Sequence, residues 1–234
     1  MQKTMKLTGW SSSIAPVAAL LVALAMAFVL ACSGLSADEA HAAPSKKAQH
    51  KKYEKTIKSY NGKMKKAAPS DASSYRTYFA FADIDKNGID ELVLRFAYKG
   101  SKITTADDTG YGERTAIYTI TKGKVAPVIE PDMSAAFAGH SPYVRVYKGS
   151  RYIDEGFSHG YEDYAFYKFS KGKLAKKPAV NLAYDSRYGA LKNGKEISYA
   201  KFKKLFKKYA GAAHGKQKGY PMHVYSAKTF KKYV

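Results

Sequence analysis

Four glycine-centred turns in the second half of the chain constrain the fold more than any other feature. Gly123, Gly149, Gly172 and Gly194 are separated by 26, 23 and 22 residues, and short runs of apolar or aromatic residues surround each one. A β-hairpin with its connection takes about this length, because strands average ~5 to 6 residues. Parallel strands would need a longer crossover connection between them. The spacing therefore predicts successive antiparallel hairpins.

Strand patterns also begin at Tyr75, where the runs "TYFAFADI" and "ELVLRFAY" flank an acidic loop. In the second run Leu92, Leu94 and Phe96 share one side of a strand, because successive side chains alternate between its two faces. The loop between the two runs is therefore predicted to connect two strands.

Amphipathic patterns predict a basic helix on each side of the strands. Spacings of four, three and four residues line one face of the first helix with Tyr53, Ile57, Tyr60 and Met64. Ser198 is the predicted N-cap of the second helix and Gly211 its stop. The apolar face of that helix can pack on the protein's own sheet or lie on an anionic membrane, and it consists of Phe202, Leu205, Phe206 and Tyr209. The predicted fold class is α+β, a mainly antiparallel β-sheet of successive hairpins with basic amphipathic helices at both ends.

The N-terminal segment has the pattern of a secretory signal peptide, since Lys3 and Lys6 precede an uncharged apolar stretch followed by small residues. Cleavage can follow the A-x-A sequence at residues 40–42, or precede Cys32, where "VLAC" resembles a bacterial lipobox. An uncleaved membrane anchor is the third alternative. Cys32 is the single cysteine, so no intramolecular disulfide is available and packing or a metal must hold the fold. We predict an extracellular or cell-surface protein, with a lipid anchor at Cys32 under the second alternative.

The composition divides the chain into three parts. Residues 1–42 are the predicted signal peptide, or contain a lipoprotein signal that ends before Cys32. Residues 43–74 form a basic linker with the first amphipathic helix, in which 43–52 and 67–74 are linkers. Residues 75–234 form a β-rich domain with the acidic loop and the C-terminal helices. Two histidines in lysine-rich tracts are predicted to be solvated: His50 and His214.

The formal net charge of +21 is concentrated in two flanks. Residues 43–66 hold nine lysines and one glutamate, and residues 197–234 hold ten lysines and no acid. Coulomb attraction predicts binding to an anionic cell-wall polymer, an acidic glycan or a lipid surface, without specific nucleic-acid recognition. The alternative is that these lysines only solvate the helix faces. Neither interpretation fixes an oligomeric state.

The loop "DIDKNGIDEL" at residues 83–92 gathers acids in an otherwise basic chain. Hard cations such as calcium take six to eight oxygens, which alternate side chains of a tight loop can supply. The predicted calcium ligands are the side chains of Asp83, Asp85, Asn87 and Glu91 together with the carbonyl of Ile89. Gly88 permits the turn, and Asp90 is predicted to face outwards. The alternative is a hairpin turn whose acids are hydrated.

An EF-hand would close this loop with an acid at its twelfth position, where the chain has Leu94 inside a strand pattern. The loop instead resembles the D-x-[DN]-x-[DN]-G-x-x-[DE] calcium loops of FG-GAP repeats, found in integrin α-chain propellers, and similar single loops of exported bacterial proteins. The resemblance implies that the five residues named above bind calcium in a structural role. It does not extend to the propeller fold, because the chain carries one such loop where a propeller needs several.

No G-x-S-x-G, H-E-x-x-H or phosphate-loop sequence occurs in the chain. One alternative function is a hydrolase of envelope polymer that uses His159 with Glu162 or Asp163. Asp154 and Glu155 with His159 are a second candidate metal site, and a plain polar loop is the competing interpretation of the stretch. The leading prediction is an exported, non-enzymatic cell-envelope protein with a structural calcium loop.

Overall fold

Each of the predicted glycine turns connects the two strands of a hairpin, and the backbone angles show why glycine is needed there. The computed structural model describes residues 44–68, 72–109, 113–130, 143–156 and 162–234, all within the compact unit Ala43–Val234. Gly123, Gly172 and Gly194 have φ values of 74°, 70° and 76°, and the residue before each also has a positive φ. Two consecutive positive φ angles are typical of the tight turns that match the twist of paired strands.

Twelve strands lie in the described residues and form two sheets. They are β1 (Tyr75–Ala82), β2 (Glu91–Tyr98), β3 (Arg114–Thr121), β4 (Lys124–Ile129), β5 (Tyr143–Val146), β6 (Tyr152–Gly156), β7 (Glu162–Ser170), β8 (Lys173–Leu174), β9 (Val180–Asp185), β10 (Gly189–Lys192), β11 (Lys195–Ile197) and β12 (His223–Val224). The first sheet has the order β12-β1-β2-β3-β4 and the second has the order β11-β10-β9-β7-β6-β5, with β8 paired to β7. Every pairing between these strands is antiparallel.

The described residues also form four helices and one short 3₁₀ turn. They are α1 (Lys46–Lys52), α2 (Glu54–Ala67), α3 (Tyr199–Ala210), α4 (Ala227–Phe230) and the turn Ala72–Ser74. The Ser198 hydroxyl accepts the Lys201 N–H and caps α3, and Gly211 ends that helix with a φ of 79°. Both predicted helices are therefore confirmed, and the fold class is the predicted α+β with mainly antiparallel sheet.

Alternation along the strands separates three apolar clusters. On one face of the first sheet, Leu92, Leu94 and Phe96 pack against α2, whose own contribution includes Ile57 and Met64. The opposite face, which includes Val93 and Ala97, packs against residues of the second sheet such as Val146, Ile153 and Phe169. The other face of the second sheet is covered by α3 through Phe202 and Phe206. The apolar face of α3 therefore packs on the protein's own sheet, as one of the two alternatives predicted.

Residues 43–52 were predicted to be a linker, and that prediction is wrong for most of the segment. Lys46–Lys52 form helix α1, which begins at an N-cap where the Ser45 hydroxyl accepts the Ala48 N–H. Gln49 and His50 are buried, and the ring of His50 stacks on that of Phe81 with centroids 3.6 Å apart. The prediction that His50 is solvated is therefore also wrong. The segment was predicted to be a linker because it is strongly basic, but two of its residues, Gln49 and His50, are buried against the rest of the domain.

The predicted signal peptide and Cys32 lie outside the described residues. Within the part of the chain that the structure describes, no helix combines the length and the apolar character needed to cross a membrane.

Candidate metal centre

The acidic loop connects β1 to β2, as its flanking patterns predict. Ala82 at the end of β1 pairs with Glu91 at the start of β2, so the chain leaves and re-enters the sheet at neighbouring positions. Lys86 and Gly88 have φ values of 60° and 84°, which fold the intervening residues into a tight loop. Asp83 and Glu91, which are eight positions apart in sequence, are thereby brought to the same end of the sheet.

Three predicted ligands converge at this end of the sheet. Asp83, Asp85 and Glu91 each offer a carboxylate oxygen, and these oxygens lie within 4.8 Å of one another. No lysine, arginine or histidine of the described residues forms an ion pair with any of the three. A set of clustered carboxylates without an internal cation can hold a metal ion, and oxygen donors favour a hard one.

Glu91 is the most deeply placed member of this carboxylate cluster. Its side chain is fully buried and accepts hydrogen bonds from the Ile84 N–H and the Thr119 hydroxyl, both at 2.9 Å. Burial raises the pKa of Glu91 to about 8; the two hydrogen bonds oppose this rise, and the charges of Asp85 and Asp83 add to it. A positive ion among these carboxylates would favour the ionised form of Glu91.

Asp85 carries the clearest indication that the cluster lacks a partner. The residue is 9% exposed, and its Oδ2 accepts the Gly172 N–H at 3.2 Å from the β7–β8 turn. Its Oδ1 is buried and has no hydrogen-bond donor among the described residues. Buried carboxylate oxygens are normally hydrogen-bonded, paired or bound to a metal, so this oxygen fits a metal ligand.

The remaining two predicted ligands have local roles in the loop. The Asn87 side chain accepts the Ile89 N–H at 2.7 Å, and Asn87 is exposed. Asp83 accepts the N–H groups of Asn87 and Gly88 at 3.0 and 3.1 Å, which holds the turn closed. Ligation by Asn87 and by the Ile89 carbonyl stays a prediction.

Asp90 was predicted to face outwards, and the structure corrects this. Its carboxylate lies 2.5 Å from the Lys46 ammonium and 2.8 Å from Nε2 of His50, both on α1. Burial acts to raise the pKa of Asp90, but the hydrogen bonds from His50 and Lys46 outweigh it and hold that pKa below its usual value. Asp90 therefore fastens the loop to α1 and is not a spare metal ligand.

Gln49 of α1 was missed as a site residue. Its side-chain oxygen accepts the Asp90 N–H at 2.8 Å, and its side-chain nitrogen donates to the Gly88 carbonyl at 2.9 Å. Tyr53 adds a hydrogen bond from its hydroxyl to the Asp90 carbonyl at 2.8 Å. The N-cap at Ser45 was the one sequence signal for this helix.

The residues of the predicted alternative sites are used differently. His159 lies outside the described residues, whereas Glu162 is 2.7 Å from Nε2 of His214. The His214 side chain is 12% exposed and packs among aromatic rings, so the prediction that it is solvated is wrong. Asp154 is completely buried and is bound by Arg145 and Tyr147 at 2.8 and 2.9 Å.

The comparisons with known proteins gave no match to a protein-family model, to a curated protein or to a solved structure. The geometry of the carboxylate cluster and the distribution of charge are the observations from which function is inferred.

Proposed function

We propose that the protein is a non-enzymatic cell-envelope protein, exported by its N-terminal signal, whose domain is stabilised by a calcium ion at Asp83, Asp85 and Glu91. Its basic flanks hold it on an anionic cell-wall polymer or glycan. The observation that carries the calcium part of the proposal is the buried, unpartnered Oδ1 of Asp85 within 4.8 Å of two other carboxylates.

The ligand chemistry favours calcium over other metals. The three clustered groups are all carboxylates, and hard cations such as calcium and magnesium prefer oxygen donors, whereas zinc and copper sites usually include histidine or cysteine. Magnesium requires near-ideal octahedral geometry and keeps several waters, which suits a buried oxygen such as that of Asp85 poorly. Calcium accepts irregular geometry and backbone carbonyls, which a turn such as Asn87–Ile89 can supply.

A structural role follows from the position of the cluster. Asp85 contacts Gly172 of the β7–β8 turn in the second sheet, and Glu91 contacts Thr119 of β3 in the first. A cation bound there would link the loop to both sheets. In a domain without an intramolecular disulfide, such a link supplies stability that depends on the calcium concentration.

The polymer-binding part of the proposal is supported by the exposed lysines of the helices. The lysines of α3 are exposed, while its apolar face is buried on the second sheet. A helix that already packs its apolar face on the protein leaves its cationic face available to an anionic partner.

The calcium proposal is tested by thermal unfolding of the purified protein in chelator and in calcium. We expect 10 mM calcium to raise the melting temperature by about 5 to 10 °C, which corresponds to ~2.7 kcal/mol at a concentration 100 times a dissociation constant of ~0.1 mM. The double variant Asp83→Asn, Asp85→Asn should lose this rise.

The matched control is Glu54→Gln, which removes an exposed acid that pairs with Lys58 on the outer side of α2. This variant should keep the full response to calcium. A melting temperature that is the same in chelator and in 10 mM calcium would refute the calcium proposal and leave the loop as an acidic turn.

A further inference from the structure

A groove between α2 and the β3–β4 hairpin has the chemistry of a binding site. Its volume is about 480 Å³. Its floor is formed by Tyr60, Met64 and Val125 from the apolar cluster under α2, and its rim carries lysines and hydroxyl groups. It is thus a recess with an apolar base and polar walls.

Three lysines line this groove along one side of α1 and α2. Lys52, Lys55 and Lys63 span eleven positions, which is about 16 Å at the helical rise of 1.5 Å per residue. The Lys52 ammonium donates to the Gly123 carbonyl at 3.1 Å and so joins the helical wall to the hairpin wall. Glu130 is the one acid among the described residues that line the groove.

The positive charge of the groove is only partly offset among the described residues, because Glu130 stands against three lysines. Glu54, the single acid of α2, is bound to Lys58 at 2.6 Å. Lys55 and Lys63 form no ion pair with a described acid. An anion that enters the groove would therefore meet two exposed ammonium groups without displacing an internal partner.

Hydroxyl groups between the lysines indicate what kind of anion fits. Thr56, Ser59 and Tyr118 line the same groove and can donate to and accept from sugar hydroxyls. Proteins that bind single-stranded nucleic acid stack successive bases on several aromatic rings. Tyr60 in the floor is 2% exposed, and the half-buried Tyr118 is the one other aromatic ring among the described residues that line the groove. A lipid bilayer presents a flat surface, which cannot enter a recess. The combination of spaced ammonium groups and hydroxyls fits a linear polyhydroxylated chain that carries anionic groups.

We infer that this groove, defined by Lys52, Lys55, Lys63, Thr56 and Ser59, binds a linear anionic glycan. The inference rests on the proposed function, because it locates the polymer-binding site that the proposal requires. The lysines supply attraction, and the hydroxyls distinguish a sugar chain from a simple polyanion.

Binding is measured by titration of the full chain with two probes. Hyaluronate carries carboxylates, and dextran sulfate carries sulfate esters, so the two identify which anion is preferred; neutral dextran is the reference. We expect the wild type to bind one of the two anionic probes and not dextran. The double variant Lys55→Gln, Lys63→Gln should bind that probe at least about tenfold more weakly at low salt, with a shallower dependence of affinity on salt.

The matched control is Lys176→Gln, Lys177→Gln, which removes the same charge from exposed positions between β8 and β9, outside both basic flanks. It should change affinity by less than about threefold. Ser59→Ala should weaken binding while leaving the salt dependence unchanged, because it removes a hydrogen bond and no charge. Thermal unfolding of each variant establishes that it is folded.

The results separate the groove from the proposed function. Equal losses in both lysine pairs, or no loss in either, would refute the groove while polymer binding itself stands. Binding of anionic vesicles or single-stranded DNA through Lys55 and Lys63, without binding of either glycan probe, would refute the inference that the groove binds a glycan. No binding of any anionic probe would overturn the groove and the polymer-binding part of the proposed function, but not its calcium part.

Discussion

Two buried carboxylate sites in this protein solve the same electrostatic problem in different ways. Asp154 in β6 is completely buried, and the chain itself supplies its cation, because Arg145 lies 2.8 Å away on the neighbouring strand. Asp85 and Glu91 are also buried, but no cationic side chain of the described residues pairs with them. The first site has its counter-charge within the protein, whereas the second has none among the described residues. Oδ1 of Asp154 and Oδ1 of Asp85 are alike in accepting no hydrogen bond, so the counter-charge is what distinguishes the two sites.

The difference is reflected in how each group responds to burial. Burial raises the pKa of Asp154 to about 6, while Arg145 and Tyr147 act to lower it. Burial raises the pKa of Glu91 to about 8, and the neighbouring acids raise it further, while its two hydrogen bonds act to lower it. Burial alone therefore does not identify a ligand site; the absence of an internal counter-charge does.

The largest effect is expected when the ion pair of Asp154 and Arg145 loses its acid. Asp154→Asn would leave Arg145, whose side chain is 14% exposed, without a counter-charge, and we expect it to lower the free energy of unfolding by about 3 kcal/mol at pH 7. Urea unfolding measures this, with Glu155→Gln on the opposite face of β6 as the control, expected within about 0.5 kcal/mol. A change below 1 kcal/mol in Asp154→Asn would break the comparison. The loss should be the same with and without calcium.

The next effect concerns the pH dependence of the carboxylate cluster at Asp83, Asp85 and Glu91. In chelator, folded Glu91 keeps its proton up to about pH 8, whereas the unfolded chain releases it near the usual value of 4.5. Its contribution to stability is complete below about pH 4.5 and is lost as pH rises through 8. Calcium binding to this carboxylate would require its ionised form, so the affinity should rise by about tenfold per pH unit well below pH 8, and by roughly 50-fold between pH 6 and 8.

Calorimetric titration of calcium at several pH values tests this dependence. Glu91→Gln keeps an acceptor for the Ile84 N–H but removes the titrating group, so its residual affinity should vary little over this range. An affinity for calcium in the wild type that does not change with pH would exclude Glu91 as a ligand.

A smaller effect is expected at Gln49, whose side chain joins α1 to the acidic loop. Gln49→Ala removes the side chain that bonds both the Asp90 N–H and the Gly88 carbonyl. We expect a loss of about 1–3 kcal/mol in unfolding free energy, because the Asp90 N–H loses its partner and the Gly88 carbonyl keeps only the Lys46 ammonium at 3.4 Å. Denaturant unfolding measures it, and Lys47→Ala, on the exposed side of α1, should stay within about 0.5 kcal/mol. Equal stability of the two variants would show that α1 does not support the loop.

The smallest effect has the opposite sign to the first. In chelator at pH 9, above the pKa of about 8 of Glu91, Asp85→Asn removes repulsion between carboxylates and keeps an acceptor for the Gly172 N–H. We expect a gain of about 1 kcal/mol, the scale of one unit-charge interaction at 4 Å in water. Unfolding in urea with chelator measures it. A loss of stability would mean that the cluster is already neutralised without a cation.

The acidic loop and the cluster it forms were predictable because the pattern is local. Alternate acids before Gly88 and the strand runs on either side predict a loop between two strands, and the structure gathers Asp83, Asp85 and Glu91 there. The packing of these acids was not predictable, since Thr119 and Gly172 come from positions 28 and 87 residues away from their partners. Nor could the sequence distinguish Asp154, which has an internal cation, from Glu155 beside it.

The sequence by itself determined the hairpins, the amphipathic helices and their caps at Ser198 and Gly211. These features depend on backbone angles and on side-chain periodicity within a few residues, so a short pattern contains them. Only the tertiary structure decided that Lys46–Lys52 is a docked helix, that Asp90 pairs with His50, and that Asp85 keeps a buried oxygen without a donor. These are long-range contacts, and a carboxylate becomes a metal ligand or an ion-pair partner according to the charges that folding brings beside it.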